Sequence, residues 1–155
     1  MHPNEQLISD FYAAFGRLDA AAMATAYNPD AHFTDPVFAD LSGPEVPAMW
    51  AMLTERSTGI ALEVSGVEAD DHSGRANWVA RYKFGPSQRP VTNKVSSAFV
   101  FSGGRIQDQR DTFDFRVWAV MALGGKARVL GWTPLVQRAT QSQAAKGLAE
   151  FMAKH

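Results

Sequence analysis

The chain has 155 residues, of which 46% are hydrophobic, and its 15 Lys and Arg residues nearly balance 16 Asp and Glu residues. This balance, without any basic run, argues against nucleic-acid or acidic-membrane partners, and no apolar stretch reaches the ~20 residues of a membrane-spanning helix. The absence of cysteine excludes disulfides and thiolate sites, and the first residues lack the pattern of a signal peptide, so we expect a cytoplasmic protein.

The first quarter of the chain predicts helices. Residues 5–16 carry five large apolar side chains at helical spacing, and residues 20–27 form a shorter predicted helix with Asp19 as its N-cap. Residues 28–30, Asn-Pro-Asp, predict a turn. A short strand should follow and end at Asp35, because the proline after it lacks the next ladder donor.

The middle of the chain changes from a helical to an alternating pattern. Ser42 and Glu45 have the spacing of a capping box at the start of a third helix, whose apolar stripe includes Trp50. Beyond this helix the apolar residues recur with period two, which predicts strands at residues 60–69, 75–84, 91–101 and 105–112. Gly103 and Gly104 both tolerate positive φ and suit a two-residue type I′ turn between the last two strands.

The last third of the chain returns to a helical pattern. Residues 114–123 form a predicted helix with Asp114 as its N-cap. Thr133 and Pro134 have the pattern of an N-cap and first-turn proline, and they open a final helix that extends to about Met152.

This order of elements predicts an α+β fold. We expect one domain, residues 1–155, in which a cone-shaped, curved antiparallel sheet of four or five strands wraps over the N-terminal helices. Residues 114–155 would form a C-terminal helical extension. A cavity between the layers of such a fold is a usual place for a ligand.

Two aspartates stand at the ends of predicted strands that should border this cavity. Asp35 precedes a proline and would also suit a turn, accepting hydrogen bonds from the loop that follows. The pattern around Asp111 leaves its direction open. An acid that faces a hydrophobic hairpin has its pKa raised by burial, so we regard Asp35 and Asp111 as candidate catalytic acids.

Three segments carry a resemblance to a known superfamily. They are Tyr27-Asn-Pro-Asp-Ala-His-Phe-Thr-Asp-Pro36, the stretch from Gly43 to Trp50, and Gly104-Arg-Ile through Arg110-Asp-Thr-Phe-Asp114. The chain resembles the nuclear transport factor 2-like superfamily, and in particular its SnoaL-like members, limonene-epoxide hydrolases and ketosteroid isomerases. The resemblance implies a cystatin-like roll with a pocket for a small apolar molecule. Since one fold hosts many functions, it does not name the reaction.

The isomerases and the cyclases imply a role for one aspartate. Asp35 matches the proton-shuttling aspartate of the isomerases, but their two oxyanion donors fall on Phe11, next to Tyr12, and near Ser97 in this chain. The SnoaL-like cyclases resemble a simpler design, in which one aspartate in an apolar pocket moves a proton beside a carbonyl. Asp35 or Asp111 would serve in that role.

The epoxide hydrolases imply a different arrangement. Asp111 matches the acid of their Arg-Asp-Tyr-Phe-Asp segment, whereas their second carboxylate is replaced by Lys83 in Arg81-Tyr-Lys83. In that register Arg81 and Lys83 point inward and pair with Asp111. If the opposite, aromatic face of the strand lines the cavity, both cations lie outside or at a dimer interface.

Further side chains are candidates for the walls of the cavity. The predicted ligand-binding residues are Tyr27, Phe33, Trp50, Lys83 and Phe99, of which Tyr27 and Trp50 would equally suit the core. The four histidines have no metal-site spacing and no glycine-rich phosphate loop is present, so we expect neither a metal nor a cofactor.

The sequence therefore predicts a cofactor-free isomerase, cyclase or hydrolase that uses an aspartate as general acid or base on a small apolar molecule. The alternative is a non-catalytic module that binds a small hydrophobic ligand or a protein partner, which the missing oxyanion donors and Lys83 favour. The two-sided apolar character of residues 75–84 and 91–101 predicts a homodimer through the outer face of the sheet.

Overall fold

The computed structural model describes residues 1–85, 87–125 and 134–155. The helices in these ranges are α1 (Pro3–Gly16), α2 (Ala20–Ala24), α3 (Glu45–Arg56), α4 (Phe115–Leu123) and α5 (Pro134–Lys154). The strands are β1 (Tyr27–Thr34), β2 (Leu41–Ser42), β3 (Ile60–Ala69), β4 (Ser73–Lys83), β5 (Pro90–Ser102) and β6 (Arg105–Thr112). The predicted α+β class is confirmed, and so is the order of its helices and long strands.

The strands form one curled, unclosed sheet in the order β2-β1-β6-β5-β4-β3. Every neighbouring pair is antiparallel apart from β1 and β6, which run parallel. We predicted four or five antiparallel strands, so the sixth strand and the parallel pair are corrections. The sixth strand, β2, was missed because it is too short to show an alternating pattern. The parallel pair was missed because β6, the partner of β1, lies far from it along the chain.

Strand β1 starts earlier than predicted. Residues 28–30, expected as a turn, belong to it, and α2 ends at Ala24 rather than at residue 27. The ladder between β1 and β6 shifts its register between Tyr27 and His32. Pro29 therefore lies in an irregular stretch where the regular ladder needs no donor from it.

The hairpin between β5 and β6 forms as predicted. Gly103 and Gly104 have φ values of 61° and 78°, which are the left-handed values that a type I′ turn requires at both positions. This tight turn pairs Ser102 with Arg105 and Phe101 with Ile106, and a register shift between Val100 and Phe101 then places Ser97 opposite Asp111. The turn and this irregularity together decide which residue of β5 neighbours the candidate acid of β6.

The helix starts agree with the sequence to different degrees. Asp114 caps α4 as predicted, because its carboxylate accepts a hydrogen bond from the Val117 N–H. The capping box predicted for α3 is only half formed: the Glu45 carboxylate accepts from the Ser42 N–H, but Pro44 takes the N-cap position without a side-chain bond. The predicted N-cap Thr133 lies outside the described residues.

Helices α1 and α3 fill the inside of the sheet, and α5 packs against α3. Four large side chains of α1 are buried in this core: Ile8, Phe11, Tyr12 and Phe15. Leu148 of α5 is 2% exposed, and the side-chain amides of Gln137 and Gln141 both donate to the Pro36 carbonyl. In the described parts of the chain, no helix has the length and apolarity needed to cross a membrane.

Candidate functional site

A cavity of about 600 Å³ lies between the inner face of the sheet and helices α3, α4 and α5. Its walls are mainly apolar and include Phe15, Met49, Trp50, Trp78, Phe113 and Trp118. Its buried or half-buried polar side chains include Asp35, Tyr82, Asn93 and Asp111. This volume and this mixture of surfaces are typical of a site for a small molecule.

The parallel pairing of β1 with β6 brings the two aspartates together. Thr34 lies opposite Arg110, so the next residues along the two strands, Asp35 and Asp111, follow side by side at the carboxyl ends of the pair. Along β6, Arg110 is exposed, whereas Gln109 and Asp111 on either side of it are buried. The direction of Asp111, which the pattern left open, is therefore inward.

One arm of a buried hydrogen-bond network reaches Asp111 through Ser97. The Ser97 hydroxyl donates to Asp111 Oδ1 over 2.6 Å and accepts from the Trp78 indole N–H over 2.8 Å. It also lies 2.7 Å from the Tyr12 hydroxyl. Because the single proton of Ser97 is used on Asp111, Tyr12 must be the donor in this last bond.

The second arm reaches the same carboxylate oxygen through Gln109. The Gln109 amide donates to Asp111 Oδ1 over 3.1 Å, and its carbonyl oxygen accepts from the Tyr27 hydroxyl over 2.5 Å. The Trp50 indole N–H in turn donates to the Tyr27 hydroxyl over 2.8 Å. Every proton in both arms thus points toward Asp111 Oδ1.

The network leaves the other oxygen of Asp111 for the cavity. Oδ1 accepts two hydrogen bonds, whereas Oδ2 accepts none from residues 1–85, 87–125 or 134–155. In the same parts of the chain no fully buried side-chain oxygen or nitrogen lacks a partner, so Oδ2 faces open space. Burial raises the pKa of Asp111 from 3.8 to about 7, the bonds from Ser97 and Gln109 oppose that rise, and Asp35 adds to it.

Asp35 combines the two roles that the sequence left open. Its Oδ1 accepts the backbone N–H groups of Val37 and Phe38 over 2.7 and 2.6 Å, so it closes a turn. Its side chain also lines the cavity. Burial raises its pKa to about 6, against the lowering effect of the Phe38 and Val37 N–H groups. Two carboxyl groups with different, raised pKa values therefore face one cavity.

Two further polar side chains of the cavity were missed from the sequence. Tyr82 accepts the Trp118 indole N–H over 3.0 Å, and its pKa is raised by burial, lowered by that bond and raised again by Asp35. Asn93 is 9% exposed and belongs to the inward-facing series of β5. A polar residue between Val91 and Val95 on an apolar face was the available signal.

Three of the predicted wall residues lie behind the cavity. Tyr27, Phe33 and Phe99 are at most 5% exposed and belong to the core, and none of the three is among the residues that line this cavity. Periodicity predicted the inner face but not the depth: Phe11 packs against Tyr27, Tyr12 against Phe99, and Trp50 of α3 against Phe33. Tyr27 still bears on the site through Gln109.

The other two predicted residues do line the cavity. Trp50 forms part of its apolar wall, and Lys83 is an exposed side chain at its rim. Arg81 turns outward and its guanidinium lies 3.5 Å from the Glu63 carboxylate. The register with Arg81 and Lys83 paired to Asp111 is therefore wrong: inward positions on β4 belong to Trp78, Ala80 and Tyr82.

The fold and this site can be compared with known proteins. The sequence model described as a SnoaL-like domain matches residues 8–109. The chain belongs to the SnoaL-like family. The resemblance to the nuclear transport factor 2-like superfamily is thereby confirmed. A search of curated proteins finds no match to this SnoaL-like chain.

Solved structures share the fold of this SnoaL-like protein at low identity. An NTF2-like protein of unknown function from Burkholderia pseudomallei is 19% identical, with a TM-score of 0.68 over 78% of this chain and 98% of that one. An LEH-like epoxide hydrolase from M. tuberculosis is 19% identical, with a TM-score of 0.66 over 84% and 97%. A protein with a ketosteroid isomerase-like fold from Catenulispora acidiphila, in complex with trimethylamine, is 15% identical, with a TM-score of 0.68 over 86% and 100%.

Within residues 1–85, 87–125 and 134–155, no three His, Cys, Asp or Glu side chains are grouped so that they could hold a metal ion.

Proposed function

We propose that this SnoaL-like protein binds a small apolar molecule in the 600 Å³ cavity and moves protons on it without a cofactor, as an isomerase, cyclase or hydrolase. The observation that carries the proposal is the arrangement of Asp111, whose Oδ1 is saturated by the protein and whose Oδ2 faces the cavity. Because Oδ1 is held by two donors, the proton that this carboxyl gains or loses resides on Oδ2.

The two aspartates can divide the work of proton transfer. Burial raises both pKa values toward neutrality, so near neutral pH one carboxyl group can be ionised and act as the base while the other holds a proton and acts as the acid. We assign the acid to Asp111, because its Oδ2 presents that proton to the cavity. Asp35 takes a proton from the substrate and Asp111 Oδ2 supplies one to another atom of it. Exchange of protons with solvent then restores both carboxyl groups.

A second candidate function is binding without catalysis. The position of one oxyanion donor is occupied by Phe11, which has no polar atom, and the Ser97 hydroxyl is already used on Asp111. These two facts favour a module that holds a hydrophobic ligand and leaves it unchanged. The similarity to the LEH-like epoxide hydrolase from M. tuberculosis favours the catalytic alternative, because that protein is an enzyme.

Proton exchange at carbon separates the two functions. Small apolar ketones are incubated with the protein in heavy water, and deuterium uptake next to the carbonyl is followed by NMR. We expect wild-type protein to accelerate uptake, and Asp111→Asn to lower the acceleration by about 10²–10⁴-fold with little change in affinity. Asp10→Asn, at an exposed position, is the matched control. Binding by calorimetry without any exchange or epoxide hydrolysis would support the non-catalytic module.

We also propose that two copies of the chain associate through the outer face of the sheet. Val100 of β5 is 49% exposed on this face, where its β-branched apolar side chain contributes apolar surface outside the core. Arg75 and Glu68 form an exposed ion pair on the same two-strand region of β3 and β4. A mixed surface of this kind suits a second copy of the chain.

A further inference from the structure

We propose that Asn93 binds an oxygen atom of the ligand, so that the cavity selects apolar molecules that carry a carbonyl group. This inference rests on the proposed function, in which the same cavity holds the substrate. Asn93 lines the cavity and is 9% exposed, yet its side-chain amide makes no hydrogen bond with the described residues. Since no fully buried side-chain oxygen or nitrogen in the described parts of the chain lacks a partner, the Asn93 amide keeps some surface open to the cavity, and a ligand oxygen there could accept a hydrogen bond from it.

The position of Asn93 on the sheet leaves room for that oxygen. In the pairing of β4 with β5, Asn93 lies opposite Ala80, whose small side chain also lines the cavity. Val91 and Val95 flank Asn93 along the inner face of β5. Among the inward-facing residues 91, 93 and 95 of β5, Asn93 therefore has the one polar side chain, at a place where the opposing strand projects a single methyl group.

The polar groups of the cavity also decide which kind of ligand oxygen fits. Tyr82, the next inward residue after Ala80 on β4, accepts a hydrogen bond from Trp118 but donates its own proton to none of the described residues. Asn93 and Tyr82 thus supply free N–H and O–H donors from neighbouring strands. A carbonyl oxygen accepts two hydrogen bonds, so one such atom can pair with both donors, whereas a hydrocarbon of the same shape can pair with neither.

A carbonyl also suits the chemistry of the aspartates. A carbon next to a carbonyl loses a proton far more readily than a plain hydrocarbon carbon, because the negative charge moves onto the oxygen. Donors aimed at that oxygen stabilise the charge as it develops. Asn93 and Tyr82 on one wall and the two aspartates at the ends of β1 and β6 would then act on opposite parts of the same conjugated group.

Calorimetry with matched probes tests the inference. Tetralone and tetralin share one carbon skeleton and differ in the carbonyl oxygen, and tetralol replaces the carbonyl by a hydroxyl. We expect wild-type protein to bind tetralone about tenfold more tightly than tetralin, with tetralol between them. Asn93→Leu should bring the affinities of tetralone and tetralin within about twofold of each other. Asn77→Leu, on the exposed face of β4, should leave the tenfold preference unchanged.

The stability of the Asn93→Leu variant without ligand gives a second readout. Its midpoint of urea unfolding should change in opposite directions according to whether Asn93 serves a ligand or the fold. If Asn93 serves a ligand, Asn93→Leu removes a largely buried amide that makes no hydrogen bond with the described residues, and it raises the midpoint of urea unfolding. If Asn93 serves the fold, the midpoint falls, and Asn93→Ser, which retains a polar group, should recover part of the loss. Equal affinity of wild-type protein for tetralone and tetralin, no binding of either, or a lowered midpoint in Asn93→Leu would each overturn the inference. Loss of turnover in Asp111→Asn remains a separate result, since these measurements involve no catalysis.

Discussion

Replacing Asp111 by Asn should stabilise the protein at alkaline pH. The folded protein binds the Asp111 proton more tightly than the unfolded chain does, since burial raises the pKa from 3.8 to about 7. Stability from this carboxyl is therefore fully present below about pH 4 and is lost as the pH rises through about 7. Asn cannot ionise, and its side-chain oxygen can still accept the bonds from Ser97 and Gln109.

The magnitude follows from the difference in proton affinity. Each pKa unit corresponds to about 1.4 kcal/mol, so the change from 3.8 to about 7 costs roughly 4 kcal/mol once the group is fully ionised. At about pH 5 the folded protein still holds its proton, and the cost is roughly 1.5 kcal/mol. Asp111→Asn should therefore gain roughly 3 kcal/mol more, relative to wild type, at about pH 8.5 than at about pH 5.

Urea unfolding at these two pH values measures the effect. The free energy of unfolding is obtained by linear extrapolation for wild type, Asp111→Asn and the exposed control Asp10→Asn. We expect the control to show less than about 0.5 kcal/mol of pH-dependent difference. If Asp111→Asn is destabilised equally at both pH values, the carboxylate is a structural acceptor with an ordinary proton affinity, and the reasoning is refuted.

Three further predictions concern the network, the sheet and the assembly. Gln109→Leu removes a donor to Asp111 and the acceptor of a tyrosine hydroxyl, so it should lower the free energy of unfolding by about 1–3 kcal/mol, measured by urea titration. Gly74→Ala would place a methyl group 2.9 Å from the Phe101 ring and should cost about 1–3 kcal/mol, whereas Gly16→Ala, with nothing within 4 Å, should cost less than about 0.5 kcal/mol. Light scattering at micromolar concentration should give the mass of two chains, and the mass of one chain would contradict the proposed dimer.

The fold was largely predictable because its elements have local signals. The alternating residues of β4 and β5, and the positive φ values that Gly103 and Gly104 allow, specify an antiparallel meander without knowledge of the remainder of the chain. The pairing of β1 with β6 has no such signal. It depends on how the curled sheet brings residues 32–34 beside residues 108–110, and this contact decides that Asp35 and Asp111 become neighbours.

The sequence predicted the acidic residues of the site better than it predicted the apolar side chains that line the cavity. The inward direction of Asp111 was favoured by the family resemblance alone. The hydrophobic pattern could not show it, because Gln109 and Asp111 are polar residues on the buried face of β6. Phe33 and Phe99 were placed on the correct face but at the wrong depth. Depth in a cone depends on which α1 side chains fill its narrow part, and strand periodicity contains no information about that.

Trp50, Trp78 and Trp118 line the cavity, and each donates its indole N–H to a hydroxyl group. These bonds hold the rings in fixed orientations against the space that a ligand would occupy. Indole emission depends on the polarity around the ring, so a molecule that displaces water from this space would shift the fluorescence of the protein. The chain therefore contains its own optical reporter of occupancy, and unlabelled protein suffices to screen compound collections for ligands.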